Sequence, residues 1–142
     1  MRVFSWRARI YWEDTDGGGI VYYANYLRFL ERARTEWLRT FGYSQAALAA
    51  DPGILFSVVS LEVDYLAPAR LDDEIEVTCE PQSERGATLN FLQEVHRISP
   101  PQLLVEAEVR VACLDARTLR PKRLPLFLVN AAAAAEGMKL HG

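Results

Sequence analysis

Apolar and polar residues change their rhythm several times along this chain, and each change marks an element. From residue 3 to 12 they alternate loosely, with Phe4, Trp6, Ala8, Ile10 and Trp12 on one side and Ser5, Arg7 and Arg9 on the other. Alternation of this kind predicts a strand. Residues 13–20, Glu-Asp-Thr-Asp-Gly-Gly-Gly-Ile, interrupt it. Three consecutive glycines carry too much backbone freedom for the interior of a helix or strand, so a tight loop is expected. Over 22–41 the period lengthens to that of a helix. Tyr23, Tyr26, Leu27, Leu30, Ala33, Trp37 and Phe41 form one stripe, while Arg28, Arg32, Glu36 and Arg39 face the other way. Gly42 is placed to stop this helix. Ser44 is placed to cap a short one, Gln45 to Ala50, and Asp51-Pro52-Gly53 reads as a turn.

The second half returns to period two. Within 54–66, Leu61, Val63 and Tyr65 alternate with Ser60, Glu62 and Asp64, and Pro68 ends the run. Within 73–80, Ile75, Val77 and Cys79 alternate with glutamates and Thr78. After a turn at Ser83–Gly86, a third segment spans 87–98 and stops at Pro100-Pro101. A fourth, 103–114, puts Leu103, Val105, Ala107, Val109, Val111 and Cys113 on one face. Such alternation fits antiparallel sheet with two differently packed faces. Residues 126–136, entered through Pro125 and rich in alanine, read as a final helix. The order predicts an α+β fold, one long helix covered by a five-stranded antiparallel sheet, with the helix stripe and the inner sheet face as its core.

Composition narrows the function. The chain has 142 residues, a length that suits one globular domain over 1–142. Its net charge of −3 gives no basic footprint for duplex nucleic acid. Cys79 and Cys113 both fall on apolar phases and read as small buried hydrophobes in a reducing compartment. No run approaches the roughly 20 apolar residues of a membrane span. The first residues have no apolar stretch long enough for a signal peptide, so a cytoplasmic setting is expected. No Cys/His spacing suggests zinc, and no P-loop, dinucleotide fingerprint or Gly-x-Ser-x-Gly elbow is present. The two histidines, His96 and His141, have no evident sequence partner and read as non-catalytic.

Asp14-Thr15-Asp16 followed by three glycines and a helix is the segment best suited to chemistry. Glycine lets backbone amides converge, and a helix start adds unpaired donors and partial positive charge. Those features stabilise an oxyanion, and a nearby carboxylate can attack a carbonyl or activate water. Acyl transfer is one reading; an Asx-turn or a cap with no chemistry is another. A calcium loop fails on spacing, because Gly18 stands where a third ligand would be needed.

The stretch from Tyr11 to Arg34, YWEDTDGGGIVYYANYLRFLERAR, resembles the signature of the 4-hydroxybenzoyl-CoA thioesterase family. It is especially similar to the Tol-Pal-associated acyl-CoA thioesterases. The segments SLEVDYLAPARLDD, from Ser60, and RPKRLP, from Arg120, also match, so the resemblance runs over nearly the whole chain. It implies a hotdog fold and hydrolysis of an aromatic or short- to medium-chain acyl-CoA. It also implies a homodimer or dimer of dimers with sites at subunit interfaces. Neither metal nor cofactor is implied, CoA being part of the substrate. By the same resemblance Asp16 is the catalytic carboxylate, Tyr23 supplies the amide that polarises the thioester carbonyl, and Gly19 lets the loop turn close to substrate. Tyr23 stands where the Tol-Pal branch usually has histidine, and Gly17 where relatives often have proline or alanine. Asp14 reads as structural and Glu31 as an interface residue. Arg85 and Thr88 are candidates for holding the CoA nucleotide. Trp12, Tyr22 and Phe56 are candidates to line an acyl pocket, though core packing is the preferred reading of these aromatics. Two competing functions remain. A hydroxyacyl dehydratase would need a histidine base, and none lies between Phe4 and Val95. A non-catalytic hotdog scaffold would bind acyl-CoA or a protein without turnover.

Overall fold

Every strand pairing among the described residues is antiparallel, and the strands run across the sheet in the order β1-β3-β4-β5-β2. The computed structural model describes residues 3–141, apart from the side chains of residues 83 and 136–141. The strands are β1 (Phe4–Arg9), β2 (Ile54–Tyr65), β3 (Glu74–Arg85), β4 (Thr88–Arg97) and β5 (Gln102–Asp115). The helices are α1 (Asn25–Arg39), α2 (Gln45–Ala50) and α3 (Leu126–His141). The expected α+β architecture and five-stranded antiparallel sheet are both present.

Alternation became burial on β3, β4 and β5. Ile75, Val77 and Cys79, then Leu89, Phe91 and Val95, then Val105, Ala107, Val109 and Cys113 all point into the core. Phase is lost at one place. Leu104, not Leu103, is buried, because the β4–β5 register shifts between Val95 and His96. The extra residue turns its carbonyl to the amides of Leu66 and Ala67, at 2.8 and 3.2 Å. A bulge of this kind re-aims side chains.

Helix α1 lies against this inner face through Tyr26, Phe29, Leu30, Ala33, Trp37 and Leu38. Each large apolar side chain withdrawn from water contributes roughly 1.5–3 kcal/mol. The predicted stripe held Tyr26, Leu30, Ala33 and Trp37, and missed Phe29 and Leu38. Its ends were wrong. Tyr23 precedes the helix and is 61% exposed, and Phe41 follows it at 40%. At the start, the Tyr22 amide is drawn away to the carbonyl of Asp14, so residues 22–24 form a turn. At the end, the Thr40 hydroxyl donates to the Trp37 carbonyl, and Gly42 turns the chain at φ +86°. The Ser44 cap is as expected, its hydroxyl accepting from the Ala47 amide at 3.1 Å.

Two strand limits also differ, and one strand is more exposed than its alternation suggests. Strand β1 ends at Arg9, and Trp12–Asp14 form one 3-10 turn. Strand β3 continues to Arg85, so the hairpin turn is narrower than Ser83–Gly86. Strand β2 exposes most of its length, including Val58, Val59 and Leu61, because it is an edge with β5 on one side only.

Candidate active site

The loop between β1 and α1 is a small ladder built from main-chain atoms. The Tyr22 amide donates to the Asp14 carbonyl at 3.1 Å, and the Asp16 amide donates to the Ile20 carbonyl at 2.9 Å. Thr15 and Val21 bridge between these rungs. The Val21 amide reaches the Ala69 carbonyl, and the Leu71 amide reaches the Gly19 carbonyl. These bonds dock the ladder on the segment that follows β2. Gly19 sits at φ +80°, a conformation costly for any residue with a Cβ.

Asp14 and Asp16 do different work here. One carboxylate oxygen of Asp14 accepts from the Tyr11 amide at 2.8 Å, and its carbonyl also accepts from the Asn25 side chain at 2.9 Å. Asp14 therefore ties the 3-10 turn to the first residue of α1, in line with the structural role expected of it. Asp16 is exposed at the ladder tip. Its Oδ1 accepts from the Gly18 amide at 2.7 Å. Its Oδ2 has no hydrogen-bond partner among the described residues. A Cβ on Gly18 would lie 3.2 Å from Oδ1, so glycine there leaves the carboxylate its place.

Tyr23 leaves the ladder one residue past its inner rung and enters the turn before α1. Its amide has no acceptor among the described residues, whereas the next but one, Asn25, donates to the Tyr22 carbonyl at 2.8 Å. The Tyr23 carbonyl accepts from the Tyr65 hydroxyl at 3.2 Å. Ring contacts run from Tyr22 through Tyr23 and Tyr65 to Tyr26. A hydrogen bond with Tyr23 raises the Tyr22 pKa above that of a free phenol, and burial does the same for Tyr26. An acceptor carboxylate, an unused amide and an aromatic surround thus occupy one short stretch of chain.

The other candidates separate. Trp12 is 72% exposed and Tyr22 47%, so the core reading is wrong for both. The register explains this, since β1 ends before Trp12 and Tyr22 lies on a ladder leg. Phe56 packs against the core and lines a hollow of about 50 Å³ below α1. Arg85 and Thr88 face each other across the β3–β4 hairpin, with the Thr88 hydroxyl donating to the Arg85 carbonyl at 3.1 Å. They line one surface hollow of about 350 Å³ together with Glu84, Asn90 and Arg110. Arg110 was missed because only the β4–β5 register, which pairs it with Asn90, brings it there.

Glu31, on the outer side of α1, accepts from Thr35. His96 does have a partner, Glu94 two residues earlier on the same face, at 3.0 Å; the side chain of His141 lies outside the described residues. Cys79 and Cys113 are buried free thiols whose pKa burial pushes up. Among the described residues no three His, Cys, Asp or Glu converge on a metal position. No described helix is long and apolar enough to cross a membrane.

Comparison with known proteins agrees with the fold. The profile of the thioesterase-like superfamily matches residues 10–132. The acyl-CoA thioester hydrolase YbgC of Escherichia coli is 47% identical over 127 residues, 89% of this chain and 93% of that protein. The acyl-CoA thioesterase YbgC of Haemophilus influenzae is 43% identical over 122 residues, 86% of this chain and 88% of its own. A probable thioesterase from Bartonella henselae superposes with a TM-score of 0.82 at 32% identity, covering 87% of this chain and 100% of the other. The chain belongs to the thioesterase-like superfamily, and its fold is the hotdog fold. It is a thioester hydrolase.

Proposed function

We propose that the protein hydrolyses acyl-CoA thioesters at the 14–23 ladder, with Asp16 as the reacting carboxylate and the Tyr23 amide as oxyanion donor. The observation that carries this reading is the division of labour at Asp16. Oδ1 is fixed by the Gly18 amide while Oδ2 is left unbonded at the tip, on the same ladder as an unused amide. Two routes use these atoms. In one, Oδ2 bonds to the thioester carbon and the C–S bond breaks, giving a mixed anhydride that water then cleaves. In the other, Oδ2 takes a proton from water as the water oxygen attacks, and the departing thiolate recovers that proton. In both, negative charge gathers on the carbonyl oxygen, where an oriented amide is most effective.

The exposed aromatics Trp12, Tyr22 and Tyr23 favour a small aromatic or a short- to medium-chain acyl group at the mouth. The two arginines and Thr88 in the 350 Å³ hollow suit the phosphates of the CoA nucleotide. The β2 edge, with apolar side chains beside unpaired backbone groups, suits pairing with a second copy into a longer sheet, as a homodimer or a dimer of dimers. A monomer at every concentration in sedimentation would remove that part.

Hydrolysis of a panel from benzoyl-CoA through aliphatic acyl-CoAs of rising length tests the whole, with native protein and Asp16→Asn side by side. Turnover that disappears in the variant is expected. Equal turnover in both, or none in either, would favour a scaffold that binds without catalysis.

A further inference from the structure

Arginine 34 lies on the inward side of α1, two and a half turns past its start and about 14 Å along the axis from Asn25 at 1.5 Å per residue. Its Nη1 donates to Oε1 of Gln93 at 2.9 Å. Gln93 is 0% exposed and fully engaged, its Nε2 donating to the carbonyls of Leu30 and Thr78. The guanidinium thus leans on a neutral amide. No carboxylate among the described residues lies within ion-pair distance of it; the groups that act on its charge are the buried Cys79 thiol and, after it, Glu31, which is exposed on the outer side. Loss of solvent pulls the Arg34 pKa below that of a free arginine. A partly buried cation without a counter-charge is costly unless something supplies one.

The space beside it is shaped for such a supplier. Arg34 and Gln45 are the polar groups on the 50 Å³ hollow, whose remaining wall is apolar and includes Trp37, Phe56, Leu89 and Leu128. One water needs roughly 10–15 Å³ by this kind of measure, so the hollow has room for several. With Nη1 engaged, the edge formed by Nε and Nη2 carries no hydrogen bond to any of the described residues. That edge is the planar fork that pairs two-to-two with a carboxylate. A monoanion would neutralise the charge; a phosphate dianion would leave one charge over in an apolar pocket.

We propose that this hollow is a binding site for a short monocarboxylate, its head on the free edge of Arg34 and its apolar body against Phe56, Leu89 and Leu128. The ligand class is that of the acid a thioester hydrolase releases, but the site is separate from the Asp16 ladder and binding here does not depend on catalysis there.

Butyrate and butyramide, titrated separately into the native protein and followed by amide NMR, test this. They share size and shape and differ in charge. Saturable shifts centred on Arg34, Trp37, Gln45 and Leu128 are expected with butyrate at millimolar concentration, and butyramide should bind at least about tenfold more weakly. Arg34→Gln should weaken butyrate by at least about tenfold, and Asp16→Asn should leave it unchanged. Equal binding of acid and amide would overturn the proposal, as would the absence of saturable shifts. Loss of butyrate binding in Asp16→Asn but not in Arg34→Gln would place the acid at the ladder and equally overturn it. If Arg34→Gln does not fold, the acid–amide contrast and the location of the shifts in the native protein still decide.

Discussion

Helix α1 and the ladder that feeds it are neighbours in sequence but are held by different forces. The helix is fixed by apolar side chains, with Phe29 and Leu30 at 2% and 1% exposure. The ladder buries little beyond Val21 and is fixed by a handful of main-chain hydrogen bonds and the Asp14 carboxylate. Damage to the first should therefore appear as lost stability, and damage to the tip of the second as lost activity in a folded protein.

The sharpest separation comes from the core. Phe29→Ala should lower the unfolding free energy by about 3–5 kcal/mol, the range for emptying a buried phenylalanine site, read from urea denaturation. Next, Asp16→Asn should cut turnover at least ~100-fold, the scale of a positioned catalytic group, with the urea midpoint unmoved. A fall in midpoint of the same order as that for Phe29→Ala would erase the distinction between the two regions. Gly18→Ala tests the ladder more finely. Its Cβ would meet Oδ1 of Asp16 at 3.2 Å, so the carboxylate must yield by a few tenths of an ångström. Turnover should fall about tenfold, since misplacement by 1 Å can cost roughly 100-fold; unchanged turnover would mean that the carboxylate position is not critical. The smallest effect is expected at the Ser44 cap of α2, where Ser44→Ala should cost about 1 kcal/mol of stability and leave turnover intact.

The same contrast explains what could be read in advance. Burial by apolar contact leaves a periodic trace, so Tyr26, Leu30, Ala33 and Trp37 were visible, as were the inward phases of β3 and most of β5. Three glycines after an aspartate pair marked the ladder. Features fixed by long-range register left no trace. Leu104 took the place of Leu103 because of a bulge opposite β4. Arg110 joined Arg85 only through cross-strand pairing. Strand β2 alternates like its neighbours, yet its exposure follows from its edge position in the sheet order. Trp12 and Tyr22 are large aromatics and still stand in solvent, because the backbone there turns for hydrogen bonding and not for packing. Gln93 and Arg34 stayed unnoticed for the opposite reason, being polar residues on inward faces.

The ladder is drawn almost wholly in main-chain atoms, and this bears on how such a protein can change over generations. Hydrogen bonds between peptide groups are indifferent to the identity of the side chains that flank them. Residues 12, 22 and 23 can therefore exchange one ring for another, or for an aliphatic chain, while the rungs at Asp14 and Asp16 keep their spacing. With the acyl group placed as proposed, preference among substrates could shift at those three positions without disturbing the scaffold beneath, and a combinatorial library restricted to them would test that placement on a fold that stays constant.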